Sequence, residues 1–330
     1  MLINRLKAGI QNLLEVRARS AFSIWCLAIG VVCCFLLLLY VRFEWSYDSF
    51  HENSDNIYRL VKQSIHQETD QVLRDAGTPP VMAPYLESTF PELEKVVRQH
   101  KASAGVKMGE VFTEEEILFA DEGFFQMFSF SLMSGNEEAV LADPDEVVIS
   151  EYMAQRFFGD GQQAIGEEIT IQFFDEERSY RISGVAEQVP LNSSNTFHIV
   201  LPFENVFYNF PPGHRDRYRD NWSIYMAETY VLLNQNTPVS QLNEKFPRFL
   251  VNHYGIRSIY YQQKRMWLQP FNEVYFDENI SSRYIEQRNI IHSWILAGVS
   301  LSAFMIAGIN YKVCHSQKLR KVALRSRYTK

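Results

Sequence analysis

Two long apolar runs frame the chain. Residues 21–41 read AFSIWCLAIGVVCCFLLLLYV, 21 positions without a charge. A helix of about 20 apolar residues crosses the ~30 Å hydrocarbon core of a bilayer. Residues 290–311 read IIHSWILAGVSLSAFMIAGINY, with His292 and Asn310 as the polar positions near the ends. The pattern predicts two membrane-spanning helices. The first run exceeds the apolar region of a cleaved signal peptide, about 7–15 residues, and ends in bulky side chains, so it reads as an uncleaved anchor. Ahead of it, Leu2, Ile3, Leu6, Ile10, Leu13 and Leu14 recur at helical spacing, with Arg5, Lys7 and Gln11 elsewhere on the wheel. Residues 1–20 are therefore expected as an amphipathic helix on the inner membrane face.

Between the runs, residues 42–289 alternate between strand-like and helical patterns without one period, which predicts an α+β domain. Strands are expected at 57–61, 93–97, 116–120, 146–149, 198–201, 229–233 and 266–270. Residues 168–173 and 180–185 form an expected hairpin. Helices are expected at 81–88, 122–128, 151–158 and 238–254. Ser150 and Gly159 are placed to cap the third of these, and Pro247 to kink or split the fourth. The best division is a main lobe over 42–190, rejoined by 265–289, with a smaller inserted lobe at about 191–264.

Charge follows the same partition. Residues 1–20 carry Arg5, Lys7, Arg17 and Arg19 against Glu15, a net +3, and residues 290–330 carry seven basic residues and no acid. The segment 42–289 holds 21 basic and 38 acidic residues, a net −17, which the chain total of −7 conceals. So acidic a domain repels phosphate and argues against nucleic acid as a partner. Basic flanks mark the cytoplasmic side of spans, so both termini are expected in the cytoplasm and 42–289 outside. Cys26, Cys33, Cys34 and Cys314 all lie in or beside the apolar runs. A large outer domain without cysteine suits a bacterial periplasm, and its size supports a core without disulfides.

Catalytic constellations are missing from the sequence pattern. It holds no GxxxxGK[ST] phosphate loop, HExxH or GxSxG, and its outer histidines, His51, His66, His100, His198, His214 and His253, form no i, i+3 or i, i+4 pair. No cysteine–histidine spacing suits a metal. Glu114, Glu115 and Glu116 read as a solvated loop, and Phe124, Phe125, Phe128 and Phe130 as core. The chain is expected to be no enzyme and to bind no cofactor itself.

The residues carry a family resemblance. The opening with Asn12-Leu13-Leu14, Arg19-Ser20 and Leu27-Ala28-Ile29-Gly30 resembles the start of FtsX-like/MacB-like ABC transporter permeases of the Bacteroidetes type. FEWSYDSFHENSDNIYRLV (43–61), FADEGFFQMFSF (119–130), VVISEYMAQRFFG (147–159) with Ala164-Ile165-Gly166, ISGVAEQVPLNSS (182–194) with LPF (201–203), and Gly308-Ile309-Asn310 are similar to further family signatures. The resemblance implies a MacB-like periplasmic core domain, with a porter-like α/β lobe and a smaller inserted lobe, on an inner-membrane permease. Such a subunit dimerises, or pairs with a related permease half. It works with an ABC ATP-binding subunit that binds the ATP, and couples ATPase movement to periplasmic motion for export or extraction of a substrate. The tail 312–330 resembles the start of the family's cytoplasmic coupling segment. Its candidate ATPase contacts are Lys318, Arg320, Lys321, Val322, Leu324 and Arg325, with Lys321 standing where an acid is usual. Family permeases continue into at least two more spans, so the expectation is a truncated subunit, one part of a split permease, or a degenerate copy with another role. A two-span sensor or scaffold with an outer ligand-binding domain has the same topology and remains an alternative, as does a membrane-anchored hydrolase.

Overall fold

The computed structural model of the protein describes residues 24–25, 27–65, 70–137, 139–159, 161–174, 176–262 and 265–328, with side chains left undescribed at 161, 256–262, 314–315 and 317–328. The amphipathic helix expected over residues 1–20 lies outside the described residues. The chain divides into two compact units, Met1–Ser46 with Asn289–Lys330, and Tyr47–Arg288. In the first, helix α1 (Leu27–Trp45) is long and apolar enough to cross a membrane. It carries Arg42 and Glu44 in a last turn that continues past Val41.

The second unit begins with β1 (Ile57–Ile65), β2 (Val72–Asp75), β3 (Gly77–Thr78), α2 (Met82–Thr89), β4 (Leu93–Met108) and β5 (Val111–Ala120). It continues through α3 (Phe124–Met127), β6 (Leu132–Ser134), β7 (Glu146–Ser150), α4 (Glu151–Phe158), α5 (Gly161–Ala164), β8 (Glu168–Gln172), β9 (Glu177–Ala186) and β10 (Ile199–Pro202). After two 3₁₀ turns come α6 (Arg215–Arg219), β11 (Ala227–Leu233), α7 (Val239–Gln262), β12 (Arg265–Pro270) and α8 (Phe271–Val274). Among the described residues, one 12-stranded sheet joins all the strands.

The pairing closes part of that sheet on itself. β4 pairs β5, β5 pairs β10, β10 pairs β7, β7 pairs β9, β9 pairs β8, and β8 returns to β4, a ring of six strands. All six feed one core: Val106, Ile117, Ile199, Ile149, Ile182 and Ile171 belong to a single buried cluster. The long β4 serves two structures. Its first half pairs β11, and Gly105, Val106 and Lys107 pair β8. From β11 the sheet opens into a wing, β11–β1–β12, flanked by β2 and β3.

Strands buried on both faces read as continuous apolar runs rather than alternating ones. In β10, Ile199 and Leu201 enter the ring core, while Val200 joins the phenylalanines of α3 on the opposite face. β5 and β7 divide in the same way, Ile117 and Val147 to one side and Leu118 and Val148 to the other. Phe124, Phe125, Phe128 and Phe130 are all buried in the second core, as the pattern predicted. The wing buries its other face under α2 and α7 through Leu86, Phe246 and Leu250. Its outer strand β12 is guarded against further pairing: the Leu268 amide donates to Asn243 Oδ1 at 3.0 Å, and Pro270 has no amide to offer.

Four local expectations change. The glutamates at 114–116 lie within β5, where Glu114 and Glu116 face water and Glu115 is half-buried beside Arg156 at 3.5 Å. Pro247 sits inside α7 without breaking it, flanked by the buried Phe246 and Phe249, and the break falls at Gly255, whose φ of 75° and ψ of 153° suit only glycine. β4 runs to Met108 because Ala104, Val106 and Met108 continue the inward face, with Ser103 and Lys107 facing outward. The segment 191–264 supplies β10 and β11, which lie in the interior of the common sheet rather than forming a sheet of their own.

The capping residues behave as expected. Ser150 Oγ accepts the Met153 amide at 3.4 Å, and Gly159 ends α4 at φ 80°.

The chain ends in α9 (Ile290–Tyr328), of which Ile290–Val313 is apolar enough to span. The helix does not stop at Tyr311, since neither Gly nor Pro follows within it. α1 and α9 pack antiparallel. Leu27, Gly30, Cys34, Leu37, Val41 and Glu44 form the less exposed stripe of α1, and Ser293, Leu296, Ser300, Ala303 and Ala307 that of α9. The 3–4 spacing is a heptad seam. Small residues bring the backbones close: a Cβ on Gly30 would sit 3.1 Å from that of Ala307, and Ser300 Oγ donates to Cys34 O at 3.1 Å. Most of the remaining circumference is apolar and exposed, which fits a lipid surround.

Candidate functional site

Motion between a membrane span and an outer domain must pass through the segments that join them. The inbound segment, residues 47–56, is held by buried polar groups. Asp48, itself buried, accepts the Ser194 amide on Oδ1 at 2.8 Å and the Ser194 hydroxyl on Oδ2 at 2.6 Å. Its amide donates to Asn192 O at 2.9 Å. His51 Nε2 lies 3.7 Å from Asp48 Oδ1, and a carboxylate so partnered is an anchor that can be buried at acceptable cost. His51 donates from Nδ1 to Phe128 O and is ringed by Phe50, Phe128, Phe130 and Phe271. The Glu52 amide donates to Ser129 Oγ. The inbound segment is therefore fixed to the turn after α3 and to the loop after β9, both beside the six-strand ring.

The outbound segment, residues 275–288, is fixed elsewhere. Ser281 exchanges backbone bonds with Arg74 and Ala76 at the edge of β2. Glu228 of β11 takes the Ser282 hydroxyl at 2.7 Å and the Arg283 amide at 2.9 Å on one oxygen. Its other oxygen takes the Tyr230 hydroxyl at 3.2 Å and lies 3.6 Å from Arg59. Arg59 is fully buried and donates twice to Gln269 Oε1, so β1, β11 and β12 share one polar knot. Burial raises the Tyr230 hydroxyl above its ordinary pKa, and Glu228 adds to the shift. Tyr284 reaches Met226 O, to which His100 Nδ1 also donates at 2.8 Å. Burial holds His100 below the ordinary imidazole range, with Arg283 adding to the effect and the Met226 bond opposing it.

The two segments meet at Tyr275, just after α8. Tyr47 stacks on its ring at 3.6 Å, and the Arg288 amide donates to its carbonyl at 2.7 Å. Both ends of the Tyr47–Arg288 unit are thus joined at one residue, the inbound end anchored mainly beside the ring, with Asn56 O also taking the Leu233 amide of β11, and the outbound end anchored to the wing.

No catalytic centre emerges among the described residues, nor any group of three metal-ligating side chains. Ser150 and His198 approach to 3.2 Å, but Ser150 is buried and already caps α4. A groove of about 460 Å³ lies between α2, β4 and α3, floored by Arg98 in a bidentate bond to Asp121. Burial beside Asp121 raises the Glu87 carboxyl at its wall. The six tail residues Lys318, Arg320, Lys321, Val322, Leu324 and Arg325 all fall on the last turns of α9, and their side chains are outside those described.

In the sequence, Asp48, His51 and Ser194 sit inside family-like motifs that point to no individual role for them. The available signal was a run of polar residues between a span and a strand. Nothing local shows that Asp48 and Ser194, 146 positions apart, share a bond.

Residues 20–249 match the MacB-like periplasmic core domain. The chain belongs to the MacB-like periplasmic core domain family. Among solved structures, a domain of a protein described as a permease, from Porphyromonas gingivalis, is similar at 20% identity and TM-score 0.57, over 74% of this chain and 98% of that one. That likeness establishes a shared fold. The periplasmic region of MacB from Actinobacillus actinomycetemcomitans matches at 12% identity and TM-score 0.45, over 67% of this chain and 91% of that one. The extracellular domain of the noncanonic ABC-type transporter YknZ from Gram-positive bacteria matches at 13% identity and TM-score 0.43, over 65% of this chain and all of that one. No curated protein matches the sequence. A MacB-like domain flanked by two helices fit to cross a membrane makes this chain a permease-family membrane protein.

Proposed function

We propose that the chain is a permease-type subunit of an ABC transporter, which converts movement of a partner ATPase into movement of its periplasmic domain and so exports or extracts a substrate. One observation carries the reading: both connections to the spans converge on Tyr275 and are then anchored by buried groups to different parts of the domain. Such an arrangement passes on a displacement instead of absorbing it in a flexible linker.

In this reading both termini lie in the cytoplasm of an inner membrane, ATP is bound by the partner, and the permease acts as a homodimer or with a related half. The basic end of α9 offers Lys318, Arg320, Lys321, Val322, Leu324 and Arg325 to the ATPase. The test is affinity purification of the full chain from native membranes. An ABC ATPase should co-purify, and be lost when Lys318, Arg320 and Leu324 are all changed to Ala. Recovery of the chain without any ATPase, but with a signalling partner, would favour the two-span sensor instead.

A further inference from the structure

We infer that the turn at residues 190–193 is a membrane-contacting loop, which seats Leu191 at the boundary between lipid headgroups and acyl chains. Leu191 is 83% exposed, whereas the most exposed large apolar side chain within α1 or α9, Ile309, is 62% exposed. This exposure is built in. The Ser193 amide donates to Pro190 O at 3.1 Å, closing the turn, and Ser193 Oγ donates to Asn195 O at 2.8 Å. Asp48 also holds the loop, through Asn192 O and both donors of Ser194. A loop so restrained cannot fold Leu191 back onto the domain.

Chain connectivity places the loop. Asp48 follows Trp45, the last residue of α1, by three residues, a reach of at most about 11 Å. Asn192 is bonded to the Asp48 backbone, so the chain keeps the loop within about 20 Å of the end of the span. Trp45 and Trp294, with ring centroids 5.0 Å apart, mark that end as interfacial.

Charge singles out the same segment. Residues 188–197, QVPLNSSNTF, contain no charge, in an outer region of net −17. An acidic domain is repelled by an anionic lipid surface, and an uncharged apolar-tipped loop is the part that can approach it. The comparably exposed Phe112 and Phe174 differ on this point: Glu110 and Glu114 flank the first, and Asp175, Glu176 and Glu177 follow the second.

The inference rests on α1 being a span, not on transport, so its test needs no ATPase. The full chain, with its four cysteines replaced and Leu191→Cys introduced, is spin-labelled in nanodiscs of phosphatidylcholine and phosphatidylglycerol. Oxygen and nickel-chelate accessibilities are compared with those at Phe112→Cys and Phe174→Cys. The label at 191 should show a several-fold higher oxygen-to-nickel ratio than either hairpin site. A ratio equal to theirs overturns the proposal. Should the cysteine-replaced chain misfold, the unmodified chain is irradiated in nanodiscs containing a phosphatidylcholine with a diazirine near its glycerol. Crosslinks to a peptide within 188–196 uphold the inference, and crosslinks confined to the α1 and α9 peptides sink it.

Discussion

Asp48 shows what a single residue contributes. Replacing it with Ala leaves the Ser194 amide and hydroxyl buried without an acceptor. Unsatisfied buried donors cost about 1–3 kcal/mol each, so Asp48→Ala should destabilise the chain by roughly 2–6 kcal/mol. Ser194→Ala, which removes the hydroxyl and keeps the amide bond, should cost about 1 kcal/mol. Thermal unfolding of the detergent-solubilised chain distinguishes the two, and an unchanged midpoint for Asp48→Ala would show that the clamp holds nothing.

His100 makes a second prediction, in pH. Its buried imidazole takes a proton less readily in the folded chain than in the unfolded one. As pH falls through the ordinary imidazole range, about 7.5 to 5.5, the unfolded state therefore binds more protons and stability declines. Tyr284 faces the ring, Arg283 opposes its protonation, and the Met226 carbonyl favours it. His253, also held low by burial, adds a decline of the same sign. His100→Asn keeps an N–H for Met226 and should flatten the slope of unfolding midpoint against pH. A slope unchanged from that of the natural chain would assign the decline to other groups. Neither Asp48 nor His100 was legible as functional in the sequence. Their environments are made by Ser194 and Met226, which arrive from distant parts of the chain.

Elements were more readable where a local rule decided them. α4 was legible at both ends because Ser150 and Gly159 obey capping chemistry that needs no tertiary context. Ser150→Ala should cost about 1 kcal/mol, and Gly159→Ala, forced to keep φ near 80°, about 1–2 kcal/mol. Both fall in the same helix, so urea midpoints of the single and double variants would also show whether the two ends act independently. A Ser150→Ala midpoint equal to that of the natural chain would mean that water replaces the cap. Legibility failed where tertiary structure outweighed a local rule. Pro247 breaks helices in isolation, yet here Phe246, Phe249 and Leu250 dock on the wing and hold the helix on either side of it. β2, β3 and β6 are too short for a period to show, and the closure of the ring by β8 depends on long-range pairing with β4.

At the scale of the whole molecule, the partition that organises the chain is electrostatic. Seven basic residues follow residue 290, while the outer region carries a net −17. Lys and Arg near short spans set orientation, whereas acidic residues contribute little to it. The topology should therefore depend on the tail more than on the acidity of the domain. In a chain ending in a fluorescent protein that matures only in the cytoplasm, the natural tail should give fluorescence, and residues 47–288 should be open to protease added outside. Changing Lys312, Lys318, Arg320, Lys321, Arg325 and Arg327 together to Gln should lower the properly inserted fraction several-fold. Neutralising six acidic residues exposed on the outer domain, Glu94, Glu110, Glu114, Glu122, Glu168 and Glu177, should leave it unchanged. If the two sets have equal effects, orientation follows net charge across the spans, and the basic end of α9 loses its special role in insertion. It would then have to be explained by ATPase contact alone, which the co-purification experiment measures independently.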